Sequence, residues 1–448
     1  METVSIGYEQ EDITSLESVQ LVGYDGRLDN KSRGVLSNLI VQATVWSYSE
    51  RLYCLIAMDS LGFTEELTNT LRTIVAETLD IKSTDVMICF SHTHSAPNAL
   101  IEDQYFKLVC QRTVKSVKKA LKNLVPVEAA WGLGESSIGF NRRRNSESLD
   151  KRIGILKICD ADTKITRLLL LRVTAHCNVL SPDNYSISSD FFGAARDLLE
   201  KKYKCHVIII QGAAGDVRPA FRQDNADFLQ VHSNSVPVNY PDENVQKKYF
   251  SQSMKALDRM ATSIYHSIKE KVDQLKPEKI YSIAMFSLQK EFHADVPTLE
   301  KAKVIVHEAF TNGGISGENW FKEVNKLNGR GIHTQTSHIE IQYFVVNQGC
   351  LSGISNEVMS EISTNIAEKA NNQLFFFNGY TNGCSSYLPT AAEYDKGGYE
   401  VVWSNLLYYK YHGRLMSFNR NTAAILENTV VSHWKHYMDH SNKIKDRS

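Results

Sequence analysis

The sequence predicts an α/β fold built on a largely buried sheet, and three observations carry that reading. Short apolar runs such as "RLYCLIAMD" (51–59), "ITRLLLLRVTA" (165–175) and "QLFFFN" (373–378) are too continuous for half-exposed strands and too short for helices. They alternate with longer segments of helical period, which is the pattern of strand–helix units packed on a sheet. Nearly every run also ends in a polar residue and a turn. In open α/β sheets, ligands bind beyond the carboxyl ends of the strands.

Taken in order, residues 51–59 read as a strand and "TEELTNTLRTIVAETL" (64–79) as a helix. "DVMICF" (85–90) is a strand, and "YFKLVCQRTVKSVKKALKNL" (105–124) a helix. The strand at 165–175 leads to a helix over 190–203, with Ser188, Ser189 or Asp190 as its cap. "CHVIIIQ" (205–211) is a strand. The polar stretch 222–245 is a surface insertion or a lid, and one long helix covers 247–275. "HIEIQYFVV" (338–346) alternates as a strand, 357–371 is helical, and 373–378 is a buried strand. Two helical patterns, 399–413 and 419–440, close the chain.

Bulk composition narrows the function classes. Lys+Arg is 50 and Asp+Glu is 51, so there is no basic excess to hold nucleic acid. The apolar runs are too short to cross a bilayer. "METVSIGYEQEDITSLES" lacks the basic and apolar regions of a secretory signal. The eight cysteines are scattered, with no CxxC pair, and read as reduced thiols. These features point to the cytoplasm, a small-molecule substrate, no nucleic acid and no transmembrane segment. They leave the oligomeric state open.

The polar residues at the strand ends carry the chemistry: Asp59, then His92 and His94 in "CFSHTHSAP", His176, Asp216, Glu357 and Tyr387. His-x-His in extended chain points both imidazoles to one face. A third histidine and a glutamate complete a nitrogen and oxygen set suited to zinc. Asp59 either orients a ligating imidazole or caps the helix after it. Glu357 is equally suited to the first turn of a helix. A lone histidine after a strand is more often a structural residue than a ligand.

Seven blocks, in order, resemble the neutral (non-lysosomal) ceramidase family. They are "VGYDGRLDNKSRGVLSNLIVQATV", "SHTHSAP", "GFNRRR", "AHCNVLSPDNYSISSDFFG", "QGAAGDVRP", "GISNEV" and "GYTNGCSSYLPTAAEYDKGGYE". The first looks like that family's opening strand pair. The resemblance implies a single α/β catalytic domain over 21–442, after a lead of residues 1–20, with mixed buried sheets flanked by helices. It implies Zn2+ held by His92, His176, Glu357 and Tyr387, with His94 and Arg142 contacting the substrate or the developing oxyanion. Zinc-activated water would attack the carbonyl of a linear amide. His94 or Asp216 would pass the proton to the leaving amine, and the sequence does not rank the two.

The departures matter. Where the family has serine in Gly-Asp-Val-Ser-Pro, this chain has Arg218. Asn356 and Ser355 replace the glycine and proline before the ligand glutamate. The family's C-terminal β domain has no counterpart in the closing helical pattern. The expected activity is therefore a zinc-dependent amide hydrolase that is not a true ceramidase. Alternatives are a zinc esterase or biosynthetic enzyme, or a non-catalytic pseudo-hydrolase. A guanidinium at 218, near Arg142, suits an N-acylated or anionic substrate. An internal salt bridge from Arg218 to Asp216 or to the insertion is the equal alternative.

Overall fold

The computed structural model describes residues 3–24, 27, 29–143, 145–221 and 243–445. The polar insertion expected at 222–245 lies outside the described residues, except where helix α4 (Glu243–Gln274) begins.

Strands within residues 5–211, joined by a two-residue strand at 278–279, build a nine-stranded sheet. Its strands are β1 (Ser5–Asp12), β2 (Ile40–Tyr48), β3 (Arg51–Met58), β4 (Val86–Phe90), β5 (Val125–Glu135), β7 (Arg152–Asp160), β8 (Thr166–Val173), β9 (His206–Gln211) and the short β11 (Glu278–Lys279). Their order is β4-β3-β2-β1-β5-β7-β8-β9, with β11 on β5. Neighbours are antiparallel except β3/β4 and β8/β9, so the sheet is mixed. A second sheet runs β12 (Ile283–Asp295), β13 (Thr334–Val346), β14 (Gly349–Gly353) and β16 (Phe375–Asn378), with β14 and β16 parallel. Two small ladders complete the set: β6 (Gly139–Asn141) with β10 (Val217–Pro219), and β15 (Glu357–Val358) with β17 (Tyr387–Leu388).

The apolar runs are continuous because both faces of each strand are covered. Along β3, Cys54, Ile56 and Met58 pack under α1 (Glu65–Leu79), α2 (Asp103–Lys122), α3 (Asp190–Tyr203) and α4. Tyr53, Leu55 and Ala57 face the other way, against Phe344, Leu351 and Phe376 of the second sheet. On that sheet's far side, Tyr343, Val345 and Phe375 pack on α7 (Ser360–Lys369) and α9 (Thr422–Lys445). The result is a helix–sheet–sheet–helix sandwich. A smaller cluster joins α5 (Leu299–Gly313), α6 (Glu318–Gly329) and α8 (Ser404–His412). No described helix is long and apolar enough to cross a membrane. All eight cysteines are free.

Several expectations are revised. Residues 1–20 hold more than a lead, since Ser5–Asp12 is a central strand of the first sheet. Among the described residues of 22–45, read as a strand pair, only the part from Ile40 forms a strand of a sheet. The helix read from 357 starts at Ser360, and Glu357 sits in β15 before it. Strands β5, β7 and β12 and helices α5 and α6 were not legible. Pro126, Gly132 and Gly134 interrupt the β5 pattern, and β12 is only partly buried, so the hydrophobic alternation is diluted.

Candidate metal centre and active-site cavity

The segments after the carboxyl ends of β4 and β8 bring His92, His94 and His176 together, and the two-residue β15 adds Glu357. His92 follows β4 with φ +62, a left-handed conformation that a non-glycine residue adopts at a cost of about 1 kcal/mol. His92 Nδ1 lies 2.7 Å from the Leu61 carbonyl oxygen, and His176 Nδ1 lies 3.0 Å from that of Ala214. A carbonyl only accepts, so each Nδ1 carries the proton and each Nε2 presents a lone pair. Burial, then the neighbouring His92, Arg142 and His94, hold His176 well below the usual histidine range, so it stays neutral.

Glu357 completes the convergence. Its Oε2 is 3.3 Å from His92 Nε2 and 3.7 Å from His176 Nε2. Ligands bound about 2.0–2.1 Å from a tetrahedral ion stand about 3.3–3.4 Å from one another, so these separations fit a metal between them. His94 joins the group: ring nitrogens of His92, His94 and His176 all lie within 4.8 Å of one another. The imidazole of His94 is therefore placed either to bind an ion or to act beside it. Its backbone is fixed by Arg27, which donates to the His94 carbonyl at 2.8 Å.

Tyr387 stands beside Glu357 because β15 and β17 pair these two residues directly. Arg142 donates to the Tyr387 hydroxyl at 3.2 Å and to the Gly215 carbonyl at 2.7 Å. Burial, then the Glu357 charge, push the Tyr387 phenol well above its ordinary range. Burial opposes the charge on Arg142, but Tyr387, Glu400 and Glu357 together hold it more firmly protonated than usual. Its ion pair with Glu400, at 2.8 Å, already matches that charge. Arg142 thus positions Tyr387 more directly than it offers a free cation to a substrate.

Asp216 and Arg218 are placed differently. The Asp216 carboxylate accepts from the Ser360 amide at 2.8 Å and from Asn141 Nδ2 at 2.8 Å, which caps α7 and ties it to β6. Burial pushes it up to about 6. Arg218 lies in β10 opposite Phe140. Neither residue belongs to the cavity lining formed by the described residues. Asp59 orients neither imidazole and does not cap α1. It pairs with Arg196 at 2.8 Å and accepts from the Ile40 amide, while Thr64 caps the helix.

Two contributors escaped the sequence reading. Tyr380, fully buried with φ +54, donates to Glu357 Oε2 at 3.2 Å and lays its ring 4.3 Å from that of His92. Only the turn-rich "GYTNG" around it hints at a special backbone. Glu400 was visible only as the last residue of a matched block. A π turn over Tyr399–Trp403 carries it at the start of α8, where it also pairs with Arg143 at 2.6 Å.

His92, His94, Glu357 and Tyr387 open into a cavity of about 120 Å3 whose other walls are mainly apolar and aromatic, including Leu61, Phe63, Leu67, Tyr399 and Tyr408. Leu100 and Tyr411, 46% and 39% exposed, carry its lining out to the surface.

No family model matches the chain, and no curated protein matches it by sequence. Solved structures do. The neutral ceramidase of Pseudomonas aeruginosa superposes with a TM-score of 0.68 at 19% identity, over 96% of this chain and 74% of that one. A ceramidase complexed with C2 gives 0.68 at 18% identity, with the same coverage. Across nearly its whole length, then, this chain is similar in fold to neutral ceramidase.

Proposed function

We propose that the protein is a zinc-dependent hydrolase acting on a linear amide bond, with a substrate other than ceramide. The observation that carries the reading is the meeting of two carbonyl-oriented imidazoles and the Glu357 carboxylate, 3.3 and 3.7 Å apart, at an apolar cavity. His92, His176 and Glu357 hold the ion, with Tyr387 or His94 as the next ligand. A bound zinc ion supplies Lewis acidity and a nucleophilic water at neutral pH.

The protein's own groups do the rest. Whichever of Tyr387, oriented by Arg142, and His94 does not bind the ion donates to the oxygen on which charge develops, where preorganised donors lower the barrier most. His94 lines the cavity and is the better placed of the two proton carriers considered, since Asp216 is committed to Ser360 and Asn141. The apolar walls suit an acyl chain and exclude water from the reacting bond. Eight free, mostly buried thiols suit a reducing compartment, and we place the protein in the cytoplasm.

Elemental analysis of the wild type beside His176→Ala and Glu357→Ala, followed by a matched amide and ester panel, tests the reading. About one zinc per wild-type chain, lost in both variants, with turnover of amides over esters, is the expected result. A folded, metal-free wild type would refute it.

A further inference from the structure

The cavity has a second set of polar groups that the hydrolytic reading leaves unused. Both ring nitrogens of His412 and the Ser404 hydroxyl are buried without a hydrogen-bond partner, and both residues line the cavity from α8. Buried polar groups are nearly always satisfied, so three orphaned atoms in one apolar wall ask for a partner. Behind that wall lies Arg414, only 2% exposed. It donates to the Ser386 hydroxyl oxygen and covers the face of Phe418 at 3.7 Å, and its Nε has no partner. Burial presses it down to about 10, and the Glu65 charge only partly offsets this. The contrast with Arg142 and Arg143, each matched by a carboxylate at 2.8 Å or less, is plain.

Ser386 connects the two features. It lines the cavity, and because its oxygen accepts from Arg414, its proton is free to point elsewhere. We propose that Ser386, Ser404 and His412, backed by the Arg414 cation, form a carboxylate-binding subsite in the same cavity as the metal centre. A carboxylate accepts at both oxygens, takes hydrogen bonds from the three cavity-lining groups and brings a countercharge to a buried guanidinium that forms no ion pair among the described residues. Burial, then the Arg414 charge, hold His412 well below the usual histidine range, so the neutral ring offers one N–H to such an anion. The substrate class that follows is an amide carrying an acidic group, such as an N-acyl amino acid. This substrate assignment rests on the amidase reading, but carboxylate binding does not.

The test uses two probes with the same chain: N-octanoylglycine, with a carboxylate, and N-octanoylethanolamine, with a hydroxyl. Binding to the as-purified protein is measured by calorimetry and hydrolysis by product analysis. The wild type should favour the glycine amide by roughly tenfold or more, the worth of one or two charge-assisted hydrogen bonds. His412→Leu and Ser404→Ala should bring that preference to near unity at unchanged zinc content. These two substitutions spare Arg414, whose loss endangers folding. Equal binding of both probes, no binding of either, or an unchanged preference in both variants would overturn the subsite. Selective binding without hydrolysis would leave the subsite standing and sink the amidase reading, whereas hydrolysis without preference would do the reverse.

Discussion

The contact between Gly215 and the backbone of Glu357 makes a sharp test of how tightly the fold holds the side chains of the proposed metal site. Gly215 donates to the Val358 carbonyl at 2.8 Å and accepts from Arg142 at 2.7 Å. A Cβ at 215 would stand 2.5 Å from the Glu357 carbonyl oxygen and 2.9 Å from its carbon. Real Cβ contacts essentially never fall below 3.0 Å, so Gly215→Ala must part the two backbones by at least about 0.5 Å. Metal sites tolerate displacements of about 0.2 Å. We therefore expect zinc affinity to fall about 10- to 100-fold, with a stability loss of about 1–3 kcal/mol from overpacking. Chelator competition reads the first quantity and urea unfolding of metal-free protein the second. Gly329→Ala, where an added Cβ meets nothing within 4 Å, is the control and should alter neither by much. Wild-type zinc affinity in Gly215→Ala would show that Glu357 is not held by this contact and would refute the argument.

Three further expectations concern the same region. Removing zinc should cost the wild type about 2.7 kcal/mol of stability when free metal had stood at about 100 times its Kd; a chelator that destabilises His176→Ala equally would contradict metal binding there. Tyr380→Phe, which deletes the hydroxyl 3.2 Å from Glu357 Oε2, should weaken zinc binding about tenfold, and chelator titration of the variant checks this. Asp216, pushed by burial from 3.8 to about 6, keeps in the folded state a proton that the unfolded chain releases. Its contribution is full below about pH 4 and is lost as pH rises through about 6, a change of about 3 kcal/mol. In Asp216→Asn, urea unfolding between pH 4 and 7 should lack that slope, and an identical slope in both proteins would count against the assignment.

Much of this was legible in the chain, for a local reason. Strands buried on both faces must be apolar throughout, so β3, β4, β8, β9 and β16 announce themselves. The histidines stand out because a polar residue directly after such a run sits at the end of a strand, where α/β sheets bind ligands. Membership of a ladder is a different matter. Nothing local marks Ser5–Asp12 as a central strand, since its partners lie at 40–47 and 125–126.

What the sequence determined alone was therefore the α/β class, most of the buried strands and the residue types of a metal site. Tertiary structure decided which of those residues meet. It set Glu357 beside Tyr387 through a two-residue parallel ladder, gave Glu357 to Tyr380, and committed Asp216 to α7. It also left both ring nitrogens of His412 and the Nε of Arg414 without hydrogen-bond partners in and behind one wall of the cavity. The physical reason is range. Apolar periodicity is written between neighbouring residues, whereas hydrogen bonds, ion pairs and desolvation depend on which distant segments the packed sheets bring into contact.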